Sequence, residues 1–299
     1  MTRIYCLSTV DLDRVFELDH LPGHDEKIFA TGFHEGAGGQ GVFVARALAA
    51  LGAPVTYVGS VGDDLAGAGL IAELSAVPGL SVDIARLPGI ATANCAILVD
   101  RTGEKAIVLA PIAKELVETL GEGLMPAAGD IVTANFFHPE QIVRVFGRAR
   151  AAGATTIIDM EATGIGVFGW DAAFSVTDAA DITCTNQPTL DAWSKREGLD
   201  GPLFARAERF ARRLAGTGGR ACVTLGAEGV LAFDGQEARH VPAVRVKAVN
   251  TTGAGDTFLA GLAFGLSHGH GLFTAAGLAT RVAADFLAHG RVDPARLGL

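Results

Sequence analysis

The sequence has no run approaching the ~18 uninterrupted apolar residues that a membrane-spanning helix requires, although hydrophobic residues fill 49% of its 299 positions. Its opening, MTRIYCLSTVDLDR, is too short in apolar length and turns acidic too soon for a secretory leader. A cytoplasmic protein without a membrane partner is expected. Positive charge is scarce as well: 24 Lys and Arg face 33 Asp and Glu, a formal net charge of −9, and the basic residues are dispersed. Such a chain lacks the electrostatic footprint for a phosphodiester backbone, so nucleic acid is excluded as a partner. Any phosphate must be met by backbone N–H groups and a few chosen side chains. Cysteine is limited to Cys6, Cys95, Cys184 and Cys222. With no CxxC pair and no histidine at ligand spacing, these read as buried, reduced thiols and not as a disulfide framework or a zinc site. Internal repeats, low-complexity tracts and long linkers are missing too.

What the chain does have is glycine, 39 residues of it, and an alternation of strand-like and helix-like segments. A strand is expected over 4–10, a polar Gly- and Pro-containing stretch over 11–41, a helix over 42–51 closed by Gly52, a strand over 55–61 and a helix over 65–74. TANCAILVD and KAIVLAP flank RTGE, whose Gly103 supplies a tight turn, so a hairpin is inserted there. The alternation resumes with DIVTAN, a helix over PEQIVRVFGRARAAG, TTIIDM, a less regular run to Asp181, DITCTN and a helix after Pro188. In PLFARAERFARRLAG, Leu203, Ala207, Phe210, Ala211 and Leu214 share one helical face and the arginines form the solvated one. RACVTLG, a hairpin through Asp234 and Gly235, a strand over VPAVRVKAV and two apolar helices complete the chain. This order predicts one α/β domain, a mostly parallel sheet with helices on both faces. The early extended stretch and the inserted hairpin break that rhythm, and are expected to pair as a small antiparallel sheet, a flap over one edge.

Two glycine clusters carry the chemistry. In EGAGGQGVFVARALAALG, Gly36, Gly38 and Gly41 have GxGxxG spacing. A dinucleotide fingerprint, however, follows the first strand at once and has an acidic residue about 20 positions on. Here a long polar stretch intervenes and Thr56 sits near the acidic place. The cluster instead offers bare backbone to a small polar ligand, a substrate hydroxyl for instance, with Gly41 opening a helix. The second cluster, in VNTTGAGDTF, is a strand-to-helix hinge. Gly253, Ala254 and Gly255 let successive N–H groups point into one concavity at a helix N-terminus, an anion hole. Asp256 follows on the first turn. An aspartate there commonly just complements the helix dipole; beside an anion hole it suits a base that takes a proton from a hydroxyl nucleophile while the N–H groups stabilise a phosphoryl group in transfer.

These residues resemble the ribokinase-like (PfkB) family of sugar kinases, over nearly the whole chain. VDLD is similar to its substrate-binding turn, usually Asn-x-Asp, PGHDEKI to the start of its lid, AGGQG to its first glycine signature, GSVGDDLAG to the strand and helix that follow, VTLGAEGVLAF to the strand and turn flanking the nucleotide, and VNTTGAGDTFLAGL to its second signature. The resemblance implies transfer of the ATP γ-phosphoryl group to a hydroxyl of a sugar or sugar derivative, with Mg²⁺, and a β-sheet lid of about 12–37 and 88–112 that often forms a homodimer interface. It places Asp256 as base and Gly253, Ala254 and Gly255 as the anion hole. Asp13, Gly38, Gly39, Gln40 and the position of Phe43 then face the acceptor, while Thr224, Gly226, Gly229 and Thr252 border the nucleotide, with Asn186 near its phosphates and metal.

Several positions depart from the family pattern. Phe43 stands where Asn is usual, either against an apolar face of the acceptor or simply packed. The Asn-x-x-Glu motif that helps organise Mg²⁺ reads NQPT, with Asn186 kept and Thr189 in place of Glu, so the metal ligands are unassigned and a neighbour such as Asp191 or water is left to serve. Asn250 replaces an Asp where many members hold a monovalent cation, which puts potassium activation in doubt. A nucleoside kinase, with Phe29, Phe33 and Phe43 stacking on a base, and a non-catalytic binding protein are the alternatives. Lys27, Arg86, Arg101 and Lys105 are candidates to meet an anionic acceptor by position, against a surface role; His138 is a candidate from a strand end, and Asp159 and Glu161 could hydrogen-bond a polyol.

Overall fold

The computed structural model describes residues 2–248 and 253–299. Its elements run β1 (Ile4–Leu7), β2 (Asp11–Glu17), β3 (Gly32–Gly38), α1 (Gln40–Ala50), β4 (Val55–Gly62), α2 (Leu65–Ser75), β5 (Leu80–Leu87), β6 (Asn94–Val99), β7 (Lys105–Leu109), α3 (Lys114–Thr119), β8 (Ile131–Asn135), α4 (Pro139–Ala151), β9 (Thr155–Met160), α5 (Ala162–Ala179), β10 (Ile182–Asn186), α6 (Gln187–Glu197), α7 (Leu203–Ala215), β11 (Arg220–Thr224), β12 (Val230–Phe233), β13 (Ala238–Val241), α8 (Ala254–Ser267), α9 (Leu272–His289) and α10 (Pro294–Leu297). Among the described residues no helix is long and apolar enough to cross a membrane.

A nine-stranded sheet has the order β13-β12-β11-β10-β9-β8-β1-β4-β5. From β11 to β5 every neighbouring pair is parallel, and only β12 and β13 run against their neighbours. Both faces are covered because both parities of the central strands are apolar. Ile4 and Cys6 point into one buried cluster with α1, α8 and α9. Leu7, Val132 and Ile158 point into the other, with α4, α5 and α7. From β1 the chain builds outward through β4 and β5, then returns to β8 on the other side of β1 and builds away from it. The crevice at the C-terminal ends of β1 and β8 is therefore the topological switch point, where open α/β sheets place their ligands.

β2, β3, β6 and β7 form the separate small sheet, in the order β3-β2-β6-β7. It is mixed rather than antiparallel: two antiparallel hairpin pairs are joined by a parallel β2–β6 pair, with Asp13 opposite Cys95. Three other expectations need correction. The strand read over VPAVRVKAV ends at Val241, because its neighbour β12 stops pairing at Val230 and Pro242 has no N–H to continue a ladder. The less regular run before Asp181 is helix α5, interrupted at Gly169 (φ 83°). Its glycines lower helix propensity, yet Gly164 is there for packing, since a Cβ would lie 2.6 Å from the Phe136 carbonyl oxygen. Strand β5, an edge strand paired to β4 alone, was not anticipated, and β1 is shorter than the 4–10 segment because the chain leaves the sheet after Leu7 to start β2.

Candidate active site

Asp13 sits on β2 where the small sheet meets the switch point. Its Oδ1 accepts a hydrogen bond from the Cys95 thiol at 3.0 Å, and burial raises its pKa, with the Cys95 bond and the Lys105 charge opposing. Gly38 is glycine for a measurable reason: a Cβ would lie 1.9 Å from Asp13 Cγ. Gly39 caps α1 with φ 96°, a left-handed backbone that favours glycine, and a Cβ there would lie 2.8 Å from the Thr9 carbonyl oxygen. Gln40 begins α1 and its amide donates to Glu161. The turn thus brings Asp13, Gly38, Gly39 and Gln40 together as the sequence predicts, and adds Glu161 and Asp11, which reach it from β9 and the start of β2. Asp11 is pushed up to about 6 by burial and by the neighbouring Asp13 charge.

Helix α8 starts at Ala254, capped by Gly253 with φ 86°. Among the described residues the first backbone bond into the helix is from Thr257 N–H to the Gly253 carbonyl, 2.9 Å, doubled by the Thr257 hydroxyl at 2.7 Å. The N–H groups ahead of it have no helical acceptor. At Gly255 a Cβ would meet nothing within 4 Å, so this backbone is open to approach. Asp256 lies on the same turn and is pushed up to about 7, chiefly by burial and then by the charge of Glu161, with Lys105 opposing. Glu161 is raised by burial, against the Gln40 bond and the Lys105 charge. Asp159 is raised well above the carboxylate range by burial, Glu161 and Asp256. One carboxylate field therefore links β2, the β9 end and α8, and Lys105 of β7 acts on Asp13, Glu161 and Asp256 together. Of the four cations weighed from sequence, Arg86 is paired with Asp63 and Arg101 with Asp19; Lys105 is the one whose charge reaches these carboxylates. Phe43 packs beside the hinge, 3.9 Å from a Cβ built on Gly253. Phe29 is exposed, and Phe33 packs on Phe16 with 4.9 Å between ring centroids.

On the other side of α8 lies a cleft of ≈ 750 Å³. Thr224, Gly226 and Gly229 form one wall, Ala254 and Gly255 the floor, and Phe258 and Leu287 belong to its apolar lining. Gly226 (φ 58°) opens onto free space, whereas a Cβ on Gly229 (φ 92°) would lie 2.2 Å from the Val241 carbonyl oxygen. Asn186 ends β10 opposite Thr224, and its Oδ1 caps α6, accepting from Thr189 N–H at 3.1 Å and from the Thr189 hydroxyl at 2.7 Å. Thr189 is fully buried, so it serves the cap and not a metal. Asp191, the neighbour weighed for the metal, is paired with Arg206 at 2.8 Å. Among the described residues no group of three or more His, Cys, Asp or Glu is arranged to hold an ion. Asn250 and Thr252 lie outside the described residues.

Residues 1–123 and 170–290 match the pfkB family carbohydrate kinases, and the chain belongs to that family. It is accordingly a phosphotransferase with an alcohol group as acceptor. The ribokinase of Lactococcus lactis is 25% identical over 282 residues, 89% of this chain and 84% of that protein. The ribokinase of Mus musculus is 28% identical over 268 residues, 86% of this chain and 79% of its own. Among solved structures, the ribokinase of Arabidopsis thaliana complexed with ribose and ATP superposes with a TM-score of 0.77 at 22% identity, covering 99% of this chain and 97% of that one.

Sequence reasoning missed Asn135, the last residue of β8, and Asp11 as site residues, and gave Lys105 no priority over other surface cations. The signal for Asn135 was a polar residue closing an otherwise apolar strand; Asp11 stood openly in VDLD.

Proposed function

We propose that the protein transfers the γ-phosphoryl group of ATP to a hydroxyl of a sugar or sugar derivative, with Asp256 as the general base. The observation that carries this reading is the juxtaposition on one helix turn of open backbone N–H groups and a carboxylate whose pKa lies at about 7, near the pH at which a base is both free and strong enough to act. The acceptor hydroxyl is held between Asp13 and the Gly38–Gln40 turn. As its oxygen forms the bond to phosphorus, its proton passes to an Asp256 carboxylate oxygen, and the bond from phosphorus to the ADP oxygen breaks. The N–H groups of 253–255 face the charge on the transferred group. Gln40 holds Glu161 in place.

ATP fits the cleft: the apolar walls suit a base, Gly226 and Gly229 bring backbone close, and the floor is the α8 N-terminus. Mg²⁺ would enter with ATP and neutralise phosphate charge, and, since no group of three or more His, Cys, Asp or Glu is arranged to hold it among the described residues, the nucleotide and water would supply most of its ligands. The exposed apolar side chains of the small sheet, Phe33, Ile107, Val108 and Leu109, support a homodimer contact through it. The test is ADP release over free sugars with the wild-type chain and Asp256→Asn. Turnover is expected to fall by roughly 10²- to 10⁴-fold with ATP binding retained, and an Asn variant of full activity refutes the assignment.

A further inference from the structure

The chain crosses between the large and the small sheet four times: from β1 to β2, from β3 to α1, from β5 to β6 and from β7 to α3. Asp13, Gly38, Gly39 and Cys95 stand at or beside the first three crossings, so their placing against Asp256 on α8 depends on how those crossings are held. Each is tied by a side chain of β4 or from an end of α2. The hydroxyl of Tyr57, a fully buried side chain of β4, reaches the Ser8 and Thr9 carbonyl oxygens at 3.0 and 2.9 Å. At the foot of β3, Glu73 Oε2 accepts from the Ala37 N–H at 2.9 Å, while Arg46 of α1 holds its Oε1. Between β5 and β6, Asp64 Oδ2 accepts from the Thr92 N–H at 2.9 Å and its Oδ1 from the Thr92 hydroxyl at 2.6 Å.

The Asp64 tie is built from several sides. Asp64 Oδ1 is also the N-cap of α2, accepting from the Gly67 N–H at 2.8 Å. A cap needs one oxygen; the second, turned to the Thr92 N–H, does nothing for the helix and serves the crossing. The Thr92 hydroxyl in turn accepts from the Gly62 N–H at 3.1 Å. A Cβ on Gly62 would lie 2.1 Å from the Ile90 carbonyl oxygen, so β4 meets the crossing with bare backbone. From Thr92 the path to Asp13 is short. The Ala93 carbonyl oxygen accepts from the Leu12 N–H at 2.8 Å, and Cys95 donates to Asp13 itself. Glu73 works from the other side, on the residue before Gly38. One carboxylate at each end of α2 therefore bonds a strand that flanks β2, and hydrogen bonds to an ionised carboxylate belong to the strong class.

We infer that Asp64 and Glu73 are positioning residues for phosphoryl transfer: from the two ends of α2 they fix the base of the small sheet, and with it Asp13, at its working distance from Asp256. This rests on the reading of Asp13 as an acceptor ligand and Asp256 as the base. Asp64→Asn keeps Oδ1 for the α2 cap and exchanges the other oxygen for an amide donor that faces the Thr92 N–H. With the free sugar that the wild-type chain turns over fastest, its kcat/KM for the sugar is expected to fall about 10- to 100-fold, with the ATP KM within about twofold of wild type. Thr92→Val, which leaves the α2 cap whole, is expected to act in the same direction and keeps the test open to refutation should Asp64→Asn not fold. Glu73→Ala is expected to show the same split, and Glu73→Gln, which retains an acceptor for the Ala37 N–H and loses only the charge pair with Arg46, to recover most of the loss. Equal losses toward sugar and ATP, no loss in any variant, or a Gln variant as poor as the Ala variant overturns the inference.

If the wild-type chain consumes no ATP with any sugar, the kinase reading fails, and amide hydrogen exchange decides the inference separately. In Asp64→Asn and Thr92→Val the amides of β2 and β6 are expected to exchange at least about tenfold faster than in wild type, the loss of one such bond, while those of β8 and β9 keep their wild-type rates. An equal change in both sheets, which is plain destabilisation, or no change in either, overturns it.

Discussion

Asp256→Asn should make the protein more stable while it makes it inactive. Asp256 is raised from an ordinary carboxylate value of 3.8 to about 7 because burial disfavours its charge and Glu161 repels it, with Lys105 partly opposing. Between those two pH values the folded chain keeps a proton that the unfolded chain has released. Stability contributed by this group is thus fully present below 3.8 and falls as pH rises, by about 1.36 kcal/mol per pH unit, until the loss is complete above about 7. Over about three pH units that amounts to about 4 kcal/mol at most. Asparagine has no charge to desolvate and escapes the loss. Urea unfolding of both proteins at pH 5 and pH 8 reads it directly. The stability gap in favour of Asp256→Asn is expected to widen by roughly 2–3 kcal/mol between the two pH values. A gap that does not change with pH, or a variant less stable at pH 8, refutes the claim that Asp256 is held as a strained base.

Gly38→Ala puts a methyl group 1.9 Å from Asp13 Cγ, so Asp13 must move. The acceptor KM is expected to rise tenfold or more with little change for ATP, and steady-state kinetics with each substrate varied in turn checks the split. Gly229→Ala forces φ 92° on alanine and a contact of 2.2 Å with the Val241 carbonyl oxygen. It should cost about 1–3 kcal/mol of stability in denaturant unfolding and raise the ATP KM, because Gly229 walls the cleft. Lys105→Met removes the charge that lowers Asp256, so the acid limb of kcat/KM is expected to move to higher pH; an unmoved limb shows that Lys105 does not act on the base.

The glycine turn and the α8 hinge were legible because each is a short local pattern whose purpose is local: Gly39 and Gly253 adopt φ 96° and 86° at helix starts, a conformation open to glycine because it lacks a Cβ and resisted by other residues. The α/β alternation was legible for the same reason. Helix α5 was hidden by its glycines, of which Gly164 serves packing and Gly169 a kink rather than propensity. In VPAVRVKAV the apolar alternation continues past Val241, but among the described residues β13 pairs no further than Val241, and sequence alone does not show when a partner strand ends. The acceptor crevice was the least legible part. Asp11, Asn135, Glu161 and Asp256 are brought together by the switch point, and Gln40 meets Glu161 across more than a hundred positions of chain. Only the strand order assembles them.

The pH dependence of kcat/KM for the preferred acceptor, in the wild-type chain and in Glu161→Gln, tests the central claim most directly. If Asp256 is the base, wild-type activity rises with pH and levels off above about 7, and removing the Glu161 charge moves that limb to lower pH. A profile flat from pH 5 to pH 8 in the wild type, or a limb that Glu161→Gln leaves in place, would contradict it.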